Sequence, residues 1–260
     1  MSQLEYRSVQ LPSRGVLYDE QVPDGRIEIR KLSTAEQIQF FEGGGQSEDR
    51  VERLLRSSVR LPSGFKHADL LVTDRLFLLL SLRTLTYGDS YLFSWRCQMC
   101  AKHSQANIEI LRDLDEKVAD ETLIEPFDVE LSDEDCTVQC RFLRGRDETE
   151  AIRAARRTQA RTRTNGVGAS VGLSGPDEIT DLERYKLMIV SRSGEPFRNA
   201  VEKDVFLTHL TAADFVRLQN RVSERETGID MTLYLDCPRC GADNETRMPF
   251  TAEFFRPSRL

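Results

Sequence analysis

The chain has 260 residues, 39% apolar and 30% charged, which suits one large domain or two small ones and excludes a collagen-like, wholly disordered or integral-membrane protein. Its 36 Lys and Arg against 43 Asp and Glu leave a formal charge of -7, so the average surface repels nucleic acid and anionic lipid. No apolar run approaches the roughly 18 to 20 residues that span a bilayer, and the first ten residues lack the basic-then-apolar order of a secretory leader, which predicts a soluble chain that stays in the cytosol.

In chain order, residues 11–18 read Leu-Pro-Ser-Arg-Gly-Val-Leu-Tyr, a rigid Pro turn followed by a Gly that tolerates positive φ. After a second turn at Pro23-Asp24-Gly25, Ile27 and Ile29 alternate with charges as in a half-buried strand. Ser33 and Glu36 have capping-box spacing and predict a helix with Ile38, Phe40 and Phe41 on its apolar side, ended by Gly43-Gly44-Gly45. A second helix is expected over about 48–59. A third, over 73–87, is apolar nearly all round and should be central. Tyr91, Phe93 and Trp95 then alternate along a strand that runs into Cys97.

Further on, Phe127, Val129 and Leu131, then Cys136, Val138, Cys140 and Phe142, alternate on either side of a polar turn at 132–135 and predict a hairpin. From about Asp147 a helix is expected in which Arg153, Arg156, Arg157, Arg161 and Arg163 fall within an arc of roughly 160°, at about 100° per residue. Between residues 141 and 163 eight arginines meet three acids, Asp147, Glu148 and Glu150, so a basic element sits on an acidic body. The helix is expected to dissolve from Thr162 into a mobile, glycine-rich loop insertion covering 161–176. A helix across Ile179 to Ile189 and a turn at 193–196 come next. Thr211-Ala212-Ala213-Asp214 starts another helix, carrying Phe215, Leu218 and Val222. Met231, Leu233 and Leu235 then alternate along a strand that runs into Cys237.

Two pieces of the chain thus share one grammar of strand, Cys-x-x-Cys, polar turn and returning strand. Cys97 and Cys100 form one knuckle; Cys237 and Cys240 form the other, with Gly241 easing its turn. Each two-residue gap lets both thiolates face one cation, and four sulfurs at about 2.3 Å make the closed tetrahedron of structural Zn2+. Two redox dithiols are the competing reading, weakened because neither motif follows a strand and opens a clear helix. Cys136 and Cys140 read as small buried hydrophobes, and His103 as a solvent-side turn residue. The 136 residues between Cys100 and Cys237 make the metal a staple between distant parts of the chain, worth on the order of 10 kcal/mol. The fold expected is α+β, mixed helices with β-hairpins and a zinc-ribbon-like site, in a single zinc-stapled domain spanning 1–260.

Catalytic arrangements are not evident. His67, His103 and His209 have no partners at the spacing of a metal triad or a Ser-His-Asp set, and the glycine-rich loop lacks the Gly-Lys-Ser/Thr ending of a phosphate loop. Asp133, Glu134 and Asp135 lie in a hairpin turn, where a solvated surface is the ordinary explanation. The chain therefore reads as a non-enzyme without a small-molecule substrate.

The ordered series Leu-Pro-Ser-Arg-Gly-Val-Leu-Tyr, then Asp74-Arg75-Leu76-Phe77-Leu78-Leu79-Leu80 with Tyr87-Gly88-Asp89, then Cys97-x-x-Cys100, then Phe142-Leu143-Arg144, resembles the baseplate hub proteins of contractile-tailed phages, the group typified by the T-even hub subunit. The resemblance covers most of residues 8–250. It implies a virion or virion-assembly protein, in the baseplate or in the host cytoplasm during assembly, that works by contacts with other tail and baseplate hub proteins. The alternative class is a zinc-ribbon nucleic-acid binder laying the Arg153 to Arg163 face along phosphates, against which the sequence pI near 5.2 argues.

Overall fold

The computed structural model describes residues 5–42, 47–164, 176–250 and 252–255. They form a mixed α+β protein with eight α-helices and several small antiparallel sheets. The chain divides into two compact units. The first comprises 1–67, 73–119 and 227–260; the second, 68–72 and 120–226, is inserted within it.

In the first unit, β1 (Tyr6–Gln10) pairs antiparallel with β2 (Arg26–Arg30), which also pairs with β3 (Val59–Arg60). Between β2 and β3 lie helices α1 (Thr34–Glu42) and α2 (Ser47–Ser58). The start of α1 is the capping box the sequence announces: Ser33 N donates to Glu36 Oε2 at 2.8 Å, and Glu36 N donates to Ser33 Oγ at 3.3 Å. Helix α3 (Val72–Tyr87) is the spine, with Leu78, Leu80 and Leu82 fully buried.

The residues of 11–18 acquire their meaning against this helix. Asp74, in the first turn of α3, is fully buried, and Ser13 Oγ and Tyr18 Oη each donate to its Oδ2 at 2.5 Å while Ser13 N donates to Oδ1 at 3.2 Å. Burial raises the carboxyl above its ordinary range, although these three donors pull the other way. Two glycines bring the turns close enough: Gly15 has φ +76 and Gly25 φ +64, and a Cβ on Gly15 would lie 2.1 Å from Val22 O.

β4 (Ser90–Arg96) and β5 (His103–Glu109) form a hairpin, followed by the one-turn α4 (Ile110–Asp113) and β6 (Glu116–Lys117). On β4, Tyr91, Phe93 and Trp95 are buried, whereas Leu92 points out at 58% exposure. Tyr91 and Phe93 belong to an aromatic cluster with Phe250, Phe254 and Phe255, which Arg83 of α3 caps with its guanidinium 5.5 Å from the Tyr91 ring centre.

The second unit is built on a four-stranded antiparallel sheet in the order β10-β9-β8-β7. Its members are β7 (Phe127–Leu131), β8 (Cys136–Cys140), β9 (Ile189–Arg192) and β10 (Glu195–Pro196). Between β8 and β9 run α5 (Gly145–Thr164) and α6 (Pro176–Met188), which pack against each other and are tied by Arg184 on Glu148. After β10 come α7 (Ala200–His209) and α8 (Ala212–Arg225). Helix α5 runs to Thr164, beyond the end the sequence suggests at about Thr162, because a Thr- and Arg-rich run costs only fractions of a kcal/mol per residue in a helix. The expected loop insertion from 165 to 175 lies outside the described residues. The acids of the 132–135 turn have a partner: Asp214, buried at the start of α8, accepts from Asp133 N and Glu134 N at 3.0 Å each.

The chain then returns to the first unit. β11 (Gly228–Ile229) pairs with β6, closing the exit and re-entry points, and β12 (Thr232–Asp236) pairs with β13 (Asp243–Arg247) as a second hairpin.

Candidate metal centre

Each hairpin of the first unit ends in the same turn. Cys97 N donates to Lys102 O at 2.9 Å and Ala101 N to Cys97 O at 3.0 Å; in the other knuckle Cys237 N donates to Ala242 O at 2.9 Å and Gly241 N to Cys237 O at 2.8 Å. The residue after the second cysteine is left-handed in both, Ala101 at φ +57 and Gly241 at φ +69. These turns aim four thiols at one point, with Cys97 and Cys237 buried, Cys100 half-buried and Cys240 exposed.

All four sulfurs lie within 4.8 Å of one another, and the cross-knuckle pairs Cys97–Cys240 and Cys100–Cys237 are both 3.8 Å apart. A tetrahedron of sulfurs about 2.3 Å from its centre has edges of about 3.8 Å, whereas a disulfide requires about 2.05 Å. The spacing therefore fits a shared metal and not a disulfide pair. The local field prepares thiolates: N–H groups of Cys100 and Met99 bring Cys97 down to about 6, and those of Arg239 and Cys240 lower Cys237. Cys240, by contrast, moves up to about 11; the Ala242 N–H lowers it, but the neighbouring thiols of Cys237, Cys100 and Cys97 that share hydrogen bonds with it outweigh that pull.

One residue of this centre escapes a search for cysteines. Asn244, 2% exposed on β13, accepts the Gln98 N–H through Oδ1 at 2.8 Å and donates to Ala242 O at 2.7 Å, locking one knuckle to the other. The equivalent position after the first knuckle is Ser104, whose buried hydroxyl has no partner among the described residues. The pseudo-symmetry explains why: where Gln98 offers an N–H, the second knuckle has Pro238, which has none. Asn244→Ala is expected to leave the Gln98 N–H unpaired and weaken metal binding by about 10- to 100-fold without abolishing it, as read by competition with a chromogenic chelator.

The other sequence candidates lie elsewhere. Cys140 is fully buried and its thiol is pushed up to about 12 by burial, while Cys136 is half-buried; both belong to the sheet of the second unit. His103 is exposed at the start of β5 and is not in the cluster. His67 contacts Val59 O at 3.0 Å, and His209 contacts Val205 O at 2.7 Å at the end of α7. On α5, Arg153 and Arg157 are exposed and Arg156 is half-buried; Arg161 and Arg163 lie in the helix, and their side chains are outside the description.

Fold and site together define a mixed α+β protein carrying a four-cysteine cluster compatible with a metal. The family model for the T4 bacteriophage base plate protein matches residues 16–256, and the chain belongs to that family. It is accordingly a structural protein of a phage baseplate, an assembly it shares with other baseplate proteins. Neither a curated protein nor a solved structure matches the chain. Among the described residues no helix is long and apolar enough to cross a membrane.

Proposed function

We propose that this protein serves the hub of a contractile tail, as a hub part or hub-assembly factor, through protein–protein contacts made by a fold stapled with one structural zinc. Family membership over residues 16–256 carries the reading. The four-thiol geometry supports the metal, with Cys97, Cys100, Cys237 and Cys240 as ligands: soft thiolates select zinc or iron, and four of them leave no open position for a substrate. Zinc bound there would staple the chain before the inserted unit to the chain after it, so that the fold of the first unit depends on the metal. Its place is the virion baseplate if it is a hub part, or the host cytoplasm during assembly if it is an assembly factor.

The partner face is α5, where Arg153, Arg156, Arg157, Arg161 and Arg163 would meet an acidic surface of another hub protein. Exposed charges add little to stability and much to association, so reversing Arg153 and Arg157 to Glu should leave folding and metal content intact and abolish co-purification with baseplate proteins. Unchanged co-assembly would remove this face from the mechanism. Salt-sensitive DNA binding by the parent protein, lost in the same variant, would favour the nucleic-acid reading instead. Metal analysis of the parent checks the centre: one zinc per chain is expected, and iron or no metal in protein prepared without chelator would overturn the assignment.

A further inference from the structure

A second surface of the first unit is built to take a strand. β1 lies at the edge of the order β1-β2-β3 and, among the described residues, pairs only with β2. The Leu11 N–H to Gly25 O bond of 2.9 Å sets the phase of that ladder, so the backbone groups of Arg7 and Val9 face β2 and those of Ser8 and Gln10 face away. Among the described residues, no backbone partner takes up the outward groups of Ser8 and Gln10.

This edge borders a groove of about 590 Å³. Four consecutive residues, Arg7, Ser8, Val9 and Gln10, line it, so the groove follows the strand rather than touching one of its faces. Leu85, Leu111, Leu114 and Ile229 supply an apolar wall, and Leu111 is 54% exposed. Charge distinguishes the occupant further. Arg7 and Lys31 line the groove, two residues apart in register on the same face of the sheet, and neither has a carboxylate partner among the described residues; Glu116 is the sole acid of the lining.

We propose that this groove docks an extended segment of another baseplate protein that carries apolar and acidic side chains on the same face and adds a strand to β1. Its backbone pairs with Ser8 and Gln10, its apolar side chains cover the exposed Leu111, and an acidic residue meets Arg7 and Lys31. The proposal depends neither on the hub assignment nor on zinc. An isolated apolar ligand would leave the strand's outward N–H and C=O groups unpaired, whereas a strand satisfies both.

The test uses the full-length protein and the peptide Asp-Thr-Val-Thr-Val-Thr-Glu, whose acids and valines share one face of a strand, as probe, with residue-resolved amide exchange as readout. The amides of Ser8 and Gln10 should exchange at least tenfold more slowly with the peptide, while those of Arg7 and Val9, already paired with β2, change little. A version with both acids replaced by Lys, and one with Pro at its centre, should give no protection. In the protein, Ser8→Pro removes only an outward N–H and should abolish the effect with the fold retained by circular dichroism. Should that variant misfold, the double variant Arg7→Glu, Lys31→Glu decides, because it should reverse the preference to the Lys peptide. No protection by the acidic peptide, equal protection by the Lys or Pro versions, or protection of Ser8 and Gln10 by dimerisation of the protein alone would overturn the proposal.

Discussion

Cys237→Ser is expected to abolish binding of the proposed zinc and unfold the first unit. One sulfur of four is lost from a cluster whose two cross-knuckle pairs are 3.8 Å apart, and among the described residues its two hairpins are otherwise joined at the knuckles by few bonds, chiefly those of Gln98 to Asn244 and Glu245 O. Structural zinc contributes on the order of 10 kcal/mol in small peptides, comparable with the entire stability of a typical domain at about 5 to 15 kcal/mol. Metal content by mass spectrometry and thermal unfolding with and without chelator provide the measurement. Cys136→Ala is the matched control, since it removes a half-buried thiol from the other unit and should leave metal content unchanged. Retention of a full equivalent of metal by Cys237→Ser would show that the cluster is not the binding site.

Gly15→Ala should be the most damaging Gly→Ala change among the described glycines. The added carbon would sit 2.1 Å from Val22 O and 2.9 Å from Gly25 N, both backbone atoms that no rotamer change can move, and the residue must also hold φ +76. A loss of about 3 kcal/mol or more is expected, and a melting point lower by roughly 6 to 12 °C. Gly64→Ala separates the two causes: its φ is +89 but nothing lies within 4 Å of the new carbon, so only the backbone cost of about 1 kcal/mol applies. Equal losses in the two variants would refute the steric argument.

How far the sequence was readable depended on whether a signal was local. Alternation in Tyr91, Phe93 and Trp95 located β4, and Thr211 with Asp214 located the start of α8, where Thr211 Oγ accepts the Asp214 N–H at 3.1 Å. Helix α7 went unread although Asn199 caps it, accepting the Glu202 N–H at 3.0 Å; its Val201 and Val205 are exposed, so apolar periodicity is weak there. Non-local features left no trace. The β6–β11 pair that closes the insertion is two residues long, and Asn244 matters only once both knuckles meet. A buried Asp74 looks like any helix-start acid until Ser13 and Tyr18 reach it.

The nesting of one unit inside the other also imposes an order in time. The first knuckle is complete when Cys100 leaves the ribosome, but Cys240 follows 140 residues later, a wait of roughly 7 to 28 s at about 5 to 20 residues per second. During that interval the whole inserted segment, 120–226, is synthesised, so it can reach its fold while its host is still half made. The first unit, to which residues 227–260 also belong, meanwhile waits for that part of its chain. The long centre of this chain is therefore a delay line, and the second pair of thiols is the event that ends it.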